Sequence, residues 1–325
     1  MRYVIYGAGA IGGTMAARLH TTGQDVLLIA RGANLAALQR DGLHFQTPDG
    51  DECLEIPALA TPREAKISAD DVVLLAMKTQ DTAPALLELR DHADPATAVV
   101  CAQNGVENER LALRYFAGVY GMCVYLPAQH LEPGVVQAFA APTPGVLDLG
   151  CAPDGVDERA QRIAADVAAA GFACEARPDI MRWKYAKLIS NVGNAVQALF
   201  GPGARGSDLD QRARAEAHAC CAAAAIDFTP AAETTARHNL MSPLRPVAGK
   251  PHTGGSSWQS LARQAGSIES DFLNGEIVLL GRLHDVPTPV NEALRQTAAW
   301  MTRDGSAPGS AGPAQFDALV VQLGG

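Results

Sequence analysis

A chain of 325 residues is too long for one ordinary hydrophobic core, and it predicts two domains. With 48% hydrophobic and 19% charged residues, the composition is globular rather than disordered. The formal net charge of −9 excludes a surface built for a nucleic-acid backbone, although local basic residues can still hold one small phosphate.

The seven cysteines are odd in number and show no CxxC spacing, so they read as reduced thiols of a cytoplasmic protein. Cys220 and Cys221 sit in an alanine-rich helical run, where small core residues are expected rather than a metal site. No basic segment precedes the first apolar run, and no run has the length of a membrane span. The expected partner is therefore a small molecule, with neither membrane nor nucleic acid.

In chain order, RYVIYGAGAIGGTMAARL (2–19) reads as a strand, a glycine turn and a helix. Gly7 permits the tight turn, Gly9 lets phosphates approach the backbone, and Gly12 lets the helix pack closely on the strand. Ala8, Ala10 and Ile11 complete the loop and the first helical turn, whose unpaired N–H donors and dipole suit a pyrophosphate. The alternative is a plain strand-to-helix turn.

The next strand, DVLLIA (25–30), ends in Arg31 with no acid at its tip to accept from a ribose 2′-OH. A guanidinium matches a 2′-phosphate in charge and geometry, which favours NADPH over NADH. A solvated surface arginine is the alternative.

Residues 43–60 predict a small hairpin or excursion around TPDG. Two further buried strands, DVVLLAMK (71–78) and TAVVCAQNG (97–105), carry Lys78 and Asn104 at their carboxyl ends, where ligands bind in open α/β sheets. Strand-like runs at GMCVYL, GVVQAFA and GVLDLG, a helix at DERAQRIAADVAAAG and a last strand near FACEA complete a Rossmann-type parallel-sheet domain over 1–176. Beyond Arg177-Pro178 the periodicity is helical at 179–200, 208–226, 229–241, 256–282 and 289–302, predicting an all-helical domain over 177–325. GSAPGSAGP (305–313) reads as a flexible linker before a short terminal helix. His130 reads as a loop residue, and no histidine or carboxylate spacing suggests a metal. The helical domain offers a surface for a homodimer, though nothing in its residues requires one.

Within MRWKYAKLISNVGNAVQAL, Lys187, Asn191 and Asn194 stand at i, i+4 and i+7, with Lys184 one turn earlier. This stripe reads either as a solvated face or as a site, and two asparagines inside a helix need a reason.

Taken together, GAGAIGG, Arg31, Lys78, the QNG at 103–105, the YAK-LISN helix and SIESDFLNGEI (267–277) resemble the ketopantoate reductase family. Its members are NADPH-dependent 2-dehydropantoate 2-reductases of pantothenate biosynthesis, with a Rossmann domain followed by a helical one. The resemblance implies that Lys187 is the catalytic lysine that protonates the substrate oxygen. Asn191 and Asn194 match the substrate-binding asparagines. Ser257 and Glu269, twelve residues apart, match a serine and a glutamate that contact substrate and help close the site. Lys78 and Asn104 match residues between cofactor and substrate.

The chain also departs from the family's pattern. Asn191 and Asn194 are three apart rather than four, implying a deletion or a helix irregularity. SSWQSL replaces a more usual SMLQD, and FGPGARG lacks an asparagine that some members use. The chemistry fits the residues, because a positioned ammonium can stabilise charge on a ketone oxygen and give it a proton, the better if burial lowers its pKa. The alternatives are a relative acting on another 2-oxo or 2-hydroxy acid, and a non-catalytic NADP(H)-binding sensor.

Overall fold

The computed structural model describes residues 1–264 and 266–325. The chain divides into two compact units, the first comprising Met1–Lys184 and Pro230–His252, the second Tyr185–Thr229 and Thr253–Gly325.

The first unit opens with β1 (Arg2–Tyr6), α1 (Ala10–Thr21), β2 (Asp25–Ile29) and α2 (Gly32–Asp41). The expected hairpin follows as β3 (Leu43–Thr47) and β4 (Gly50–Leu54), paired antiparallel, with β5 (Ala58–Leu59) after it. Next come α3 (Pro62–Ala65), β6 (Asp71–Leu75), α4 (Thr82–His92), β7 (Ala98–Cys101) and α5 (Glu107–Ala112). β8 (Val119–Tyr125), β9 (Ala128–Gln129), β10 (Val135–Ala138), β11 (Val146–Cys151) and α6 (Glu158–Ala169) complete the run before α7 (Ile180–Asn191).

Seven strands form one sheet in the order β11-β8-β7-β6-β1-β2-β5. All its pairings are parallel except that of β11 with β8 at the edge. Alternation along β1 explains its central place: Tyr3 and Ile5 enter one core cluster while Val4 and Tyr6 enter another. A strand covered on both faces must be apolar throughout. Because β2 and β6 flank β1 on opposite sides, the strand order reverses between β1 and β6. Ligands bind at such a switch point, beyond the carboxyl ends of the strands.

The GVVQAFA run is a strand as expected, though in a second sheet, and the strand expected near FACEA needs correction. GVVQAFA supplies β10 to a separate four-stranded sheet, β4-β3-β10-β9, because it pairs with β3 and β9 instead of the main sheet. The FACEA segment makes only isolated bridges, Val146 with Ala173 and Leu149 with Ala176.

The first unit extends beyond the boundary expected at 176/177 and takes in residues 230–252. That returning segment carries the helix Ala231–His238, whose Arg237 grips buried Asp148 through Nη2 (2.6 Å) and Nε (2.8 Å). Arg245 N donates to Phe139 O at 2.8 Å, and Ser242 N donates to Thr143 O at 3.1 Å.

In the second unit α8 (Gly193–Phe200) and α9 (Asp208–Ala223) follow the latter part of α7. With the returning helix counted as α10, the later elements are α11 (Ser256–Ala262), α12 (Asn274–Leu283), α13 (Pro289–Asp304) and α14 (Pro313–Gln322). The single helix expected over 256–282 is interrupted: Gln264 and Gly266 take positive φ (49° and 67°) and Ile268 is extended. Cys220 and Cys221 are buried on α9, and all seven cysteines are free. The expected flexible linker is instead tied down, with Gly309 N donating to Ala198 O (2.8 Å) and Ala311 N to Leu199 O (3.0 Å). These bonds occupy carbonyls at the end of α8 that a helix terminus otherwise leaves open.

Candidate active site

The glycine turn sits at the switch point of the sheet. Gly7 has φ 111°, and a Cβ there would lie 2.7 Å from Met77 N, so the turn leaves no room for a side chain beside the segment after β6. Gly12 is equally constrained, since a Cβ would strike Gly7 O and come within 2.8 Å of Ile5 Cγ2. Gly9 differs, because nothing lies within 4 Å of its Cβ position. It begins α1 with no side-chain cap and no acid in the first turn, which Ala10 and Ile11 open half-buried. The first N–H groups of α1 are thus left to an anion.

Asn34 fixes this turn in a way the sequence did not announce. Its Nδ2 donates to Ala8 O (2.9 Å) while its Oδ1 accepts from Gly134 N (2.8 Å). Arg31, the residue before α2, is 75% exposed along its side chain, and its ion pair with Asp81 is long at 3.5 Å. A guanidinium so placed is available to a phosphate.

Lys78 follows β6 and Asn104 follows β7, both half-buried. Behind them lies a buried polar network. Gln103 Nε2 donates to Met77 O (2.9 Å) and Thr82 Oγ1 (2.7 Å), and Thr82 Oγ1 donates to Asn108 Oδ1 (2.8 Å). Asn108 Nδ2 donates to Asn104 O (2.9 Å) and Thr79 Oγ1 (3.2 Å). Two of these bonds end on the backbone, at Met77 O beside Lys78 and at Asn104 O, and the side-chain bonds link them, so the loops that carry these residues are held by their sheltered side.

Lys184 also belongs to this support. Its Nζ donates to Glu109 Oε1 and to Gln103 O (3.1 Å), and both side chains of the ion pair are 2% exposed. Burial pushes the Glu109 carboxyl above its ordinary range despite the ammonium beside it. An ammonium committed to a buried carboxylate and a carbonyl is a structural group within the first unit. Nothing local in the sequence marks Glu109, since ENER is an ordinary charged stretch at a helix start.

In the second unit Lys187 is half-buried on α7 and Asn191 is buried at its end. The shortened asparagine spacing coincides with a local irregularity. α7 stops at Asn191, Val192 is a turn, and α8 starts at Gly193, although Val192 keeps helical dihedrals (φ −57°, ψ −31°). Val192 O accepts from Asn274 Nδ2 at 3.1 Å, and the same Nδ2 donates to Asn291 Oδ1 at 3.0 Å. Asn194, on the first turn of α8, accepts at Oδ1 from Arg205 Nη1 at 2.8 Å. Ser257 is buried on α11, which packs on α8, and Glu269 is buried at the start of a 3₁₀ turn, Glu269–Phe272. Among the described residues no group of three His, Cys, Asp or Glu side chains is placed to hold a metal, and no helix is long and apolar enough to cross a membrane.

Comparison with known proteins bears on both parts of the chain. The family described as "Ketopantoate reductase PanE/ApbA" matches residues 3–154, and "Ketopantoate reductase PanE/ApbA C terminal" matches residues 179–299. A 2-dehydropantoate 2-reductase of Mesorhizobium japonicum is 30% identical over 323 residues, covering 90% of this chain and 95% of that protein. One from Halobacterium salinarum is 26% identical, covering 94% of this chain and all of its own. Among solved structures, a PanE/ApbA family ketopantoate reductase from Ralstonia eutropha superposes with a TM-score of 0.78 at 27% identity, over 94% of this chain and 99% of that one. A D-mandelate dehydrogenase with NADH and anilino(oxo)acetate shares the fold, with a TM-score of 0.79 at 21% identity over 94% and 99% of the two chains.

Proposed function

The chain belongs to the ketopantoate reductase family of oxidoreductases, and on that premise we propose that it reduces 2-dehydropantoate to (R)-pantoate with NADPH, in pantothenate biosynthesis. The observation that carries the cofactor reading is the open, uncapped start of α1 at Gly9, with the exposed guanidinium of Arg31 on the next strand-to-helix connection. Those residues fit a dinucleotide that bears an additional phosphate.

When bound, NADPH supplies the hydride. Gly7 to Gly12 would hold the pyrophosphate by backbone N–H groups, and Arg31 would hold the 2′-phosphate. Lys78 and Asn104, steadied from behind by Gln103 and Asn108, orient the reacting groups. Asn191, Asn194 and Ser257 bind the 2-oxo acid. Lys187 gives a proton to the ketone oxygen as negative charge develops there, and Glu269 orients that ammonium.

A second reading keeps the chemistry and changes the substrate to another 2-oxo acid, or runs a 2-hydroxy acid oxidatively. It is favoured by the departures around the substrate residues: the short Asn191 to Asn194 spacing, SSWQSL, and an arginine in FGPGARG. A pure NADP(H) sensor is disfavoured because it has no use for Lys187. Following NADPH oxidation against a panel of 2-oxo acids tests all three. Highest kcat/KM with 2-dehydropantoate is expected. Preference for another acid supports the second reading, and tight NADPH binding without turnover of any acid overturns both.

A further inference from the structure

The loop after α8 carries a cation that no role above uses. Arg205 Nη1 donates to Asn194 Oδ1 at 2.8 Å, and this is the one hydrogen bond its guanidinium makes among the described residues. Among the described residues its Nε and Nη2 donors therefore have no hydrogen-bond acceptor, and no carboxylate forms an ion pair with it. Asp210 is near, but its oxygens accept from Arg214 Nε (3.1 Å) and Nη2 (3.3 Å) and from Gly206 N (2.8 Å) rather than from Arg205. Burial holds the Arg205 guanidinium below its ordinary value, with Asp210 opposing and Arg214 adding to the effect.

The guanidinium lies close against α8. A Cβ on Gly193 would lie 3.0 Å from Arg205 Nη1, so the glycine lets the guanidinium approach α8. The Gly255 position is close to Asn194 as well, since a Cβ there would lie 3.5 Å from Asn194 Oδ1. Next to it, the Ser256 hydroxyl is buried with no partner among the described residues. A half-buried guanidinium bonded to a candidate substrate asparagine, and in no ion pair among the described residues, has donors left for an anion.

We propose that Arg205 receives the carboxylate of the 2-oxo acid, with Asn194 holding the guanidinium in place. This rests on the reductase reading and adds to it the residue that selects acids over neutral ketones. The same loop lacks an asparagine that some members of the family use, and it carries Arg205 with a fixed charge.

The test compares 3-methyl-2-oxobutanoate with its methyl ester, which keeps the ketone and removes the charge, as substrates of the full-length enzyme with NADPH. Arg205→Gln should raise KM for the acid roughly 10- to 100-fold. Its KM for the ester should move less than about 3-fold, and kcat should change little for either. Arg205→Lys keeps the charge without the fork and should fall between, and it carries the comparison should Arg205→Gln not fold. Equal losses for acid and ester would assign Arg205 to holding Asn194 or the loop, and an unchanged acid KM would also overturn the proposal. If the wild type turns over neither compound, the reductase reading has failed for this substrate class. Calorimetric binding of the acid then decides: loss in Arg205→Gln supports the carboxylate site, and equal or absent binding in both proteins overturns it.

Discussion

Lys184 donates from Nζ to Glu109 and, at 3.1 Å, to the carbonyl oxygen of Gln103, the residue before Asn104. Both charges are removed from water, with side chains 2% exposed. Lys184 and Lys187 are one helical turn apart, yet the pairing separates their roles. One lysine braces the loop that ends β7, and the other remains the candidate proton donor.

Breaking the buried pair from one side leaves an uncompensated charge. Lys184→Met should therefore destabilise the protein by about 3–5 kcal/mol. Lys184→Met with Glu109→Leu should recover most of that loss, because replacing both charges by apolar groups removes the desolvation penalty as well. Urea denaturation of the two variants beside the wild type measures this. A single variant within 1 kcal/mol of wild type, on the scale set by exposed pairs, would contradict the burial seen here.

The glycines of the first turn should separate folding from binding. Gly12→Ala forces a methyl against Gly7 O and Ile5, and overpacking of this kind costs about 1–3 kcal/mol. Gly9→Ala meets no atom within 4 Å, so its melting temperature should match the wild type while NADPH affinity falls at least tenfold. Thermal melts and fluorescence titration of NADPH check both arms. A Gly9→Ala protein that binds NADPH normally would show that no phosphate approaches this turn.

The sheet was readable because its strands are apolar runs buried on both faces, as Val72 to Leu75 show with 0% exposure each. Which sheet a run joins was not readable: Val135–Ala138 looks like any core strand, and only its pairing with β3, far away in sequence, places it. The return of residues 230–252 was hidden for the same reason. It depends on Arg237 meeting Asp148, 89 residues earlier, and a lone arginine on an amphipathic helix gives no sign of that. Among the candidate residues, glycine spacing marked Gly7 and Gly12, where the structure leaves no room for a side chain, while Gly9, Lys78 and Asn104 were picked out by their places in the turn and at strand ends. Asn34, Asn108 and Glu109 escaped notice, since a buried polar residue differs from a solvated one only in partners distant along the chain.

Cofactor choice should lie with Arg31. Its side chain is mostly exposed and its contact with Asp81 is long, so removing it costs the fold little. Arg31→Ala should weaken NADPH by roughly 10- to 100-fold, the value of a charge-assisted hydrogen bond to phosphate, and leave NADH nearly unchanged. Dissociation constants for both nucleotides test it, and equal losses would remove Arg31 from the 2′-phosphate site.

Acid stability should depend on Asp71. Burial alone raises its carboxyl, but hydrogen bonds from Arg2 and Ser68 outweigh burial and hold it below the ordinary 3.8. The folded state then binds fewer protons than the unfolded one below that value. The stabilisation is complete above about pH 4 and is lost as pH falls through the depressed value. Arg2→Ala should lower stability near neutrality by roughly 1–2 kcal/mol and flatten the acid limb of the stability–pH curve. Urea midpoints collected from pH 7 down to pH 3 follow the limb directly, and an unchanged limb in the variant would mean that Asp71 does not titrate as described.

The decisive variant is Lys187→Ala. If Lys187 protonates the ketone oxygen, its loss removes general-acid assistance worth about 10²–10⁴ in kcat. NADPH affinity should stay near the wild-type value, because the phosphate-binding residues proposed for the cofactor are Gly7 to Gly12 and Arg31. Lys184→Met makes the contrasting case. Its damage should appear first as lost stability, with activity recovered in part when Glu109→Leu is added. Single-turnover kinetics with saturating NADPH, on variants whose melting has been checked, separate the two lysines. A Lys187→Ala enzyme that keeps its single-turnover rate would remove the proposed proton donor, and the electrophilic role would then have to be sought elsewhere.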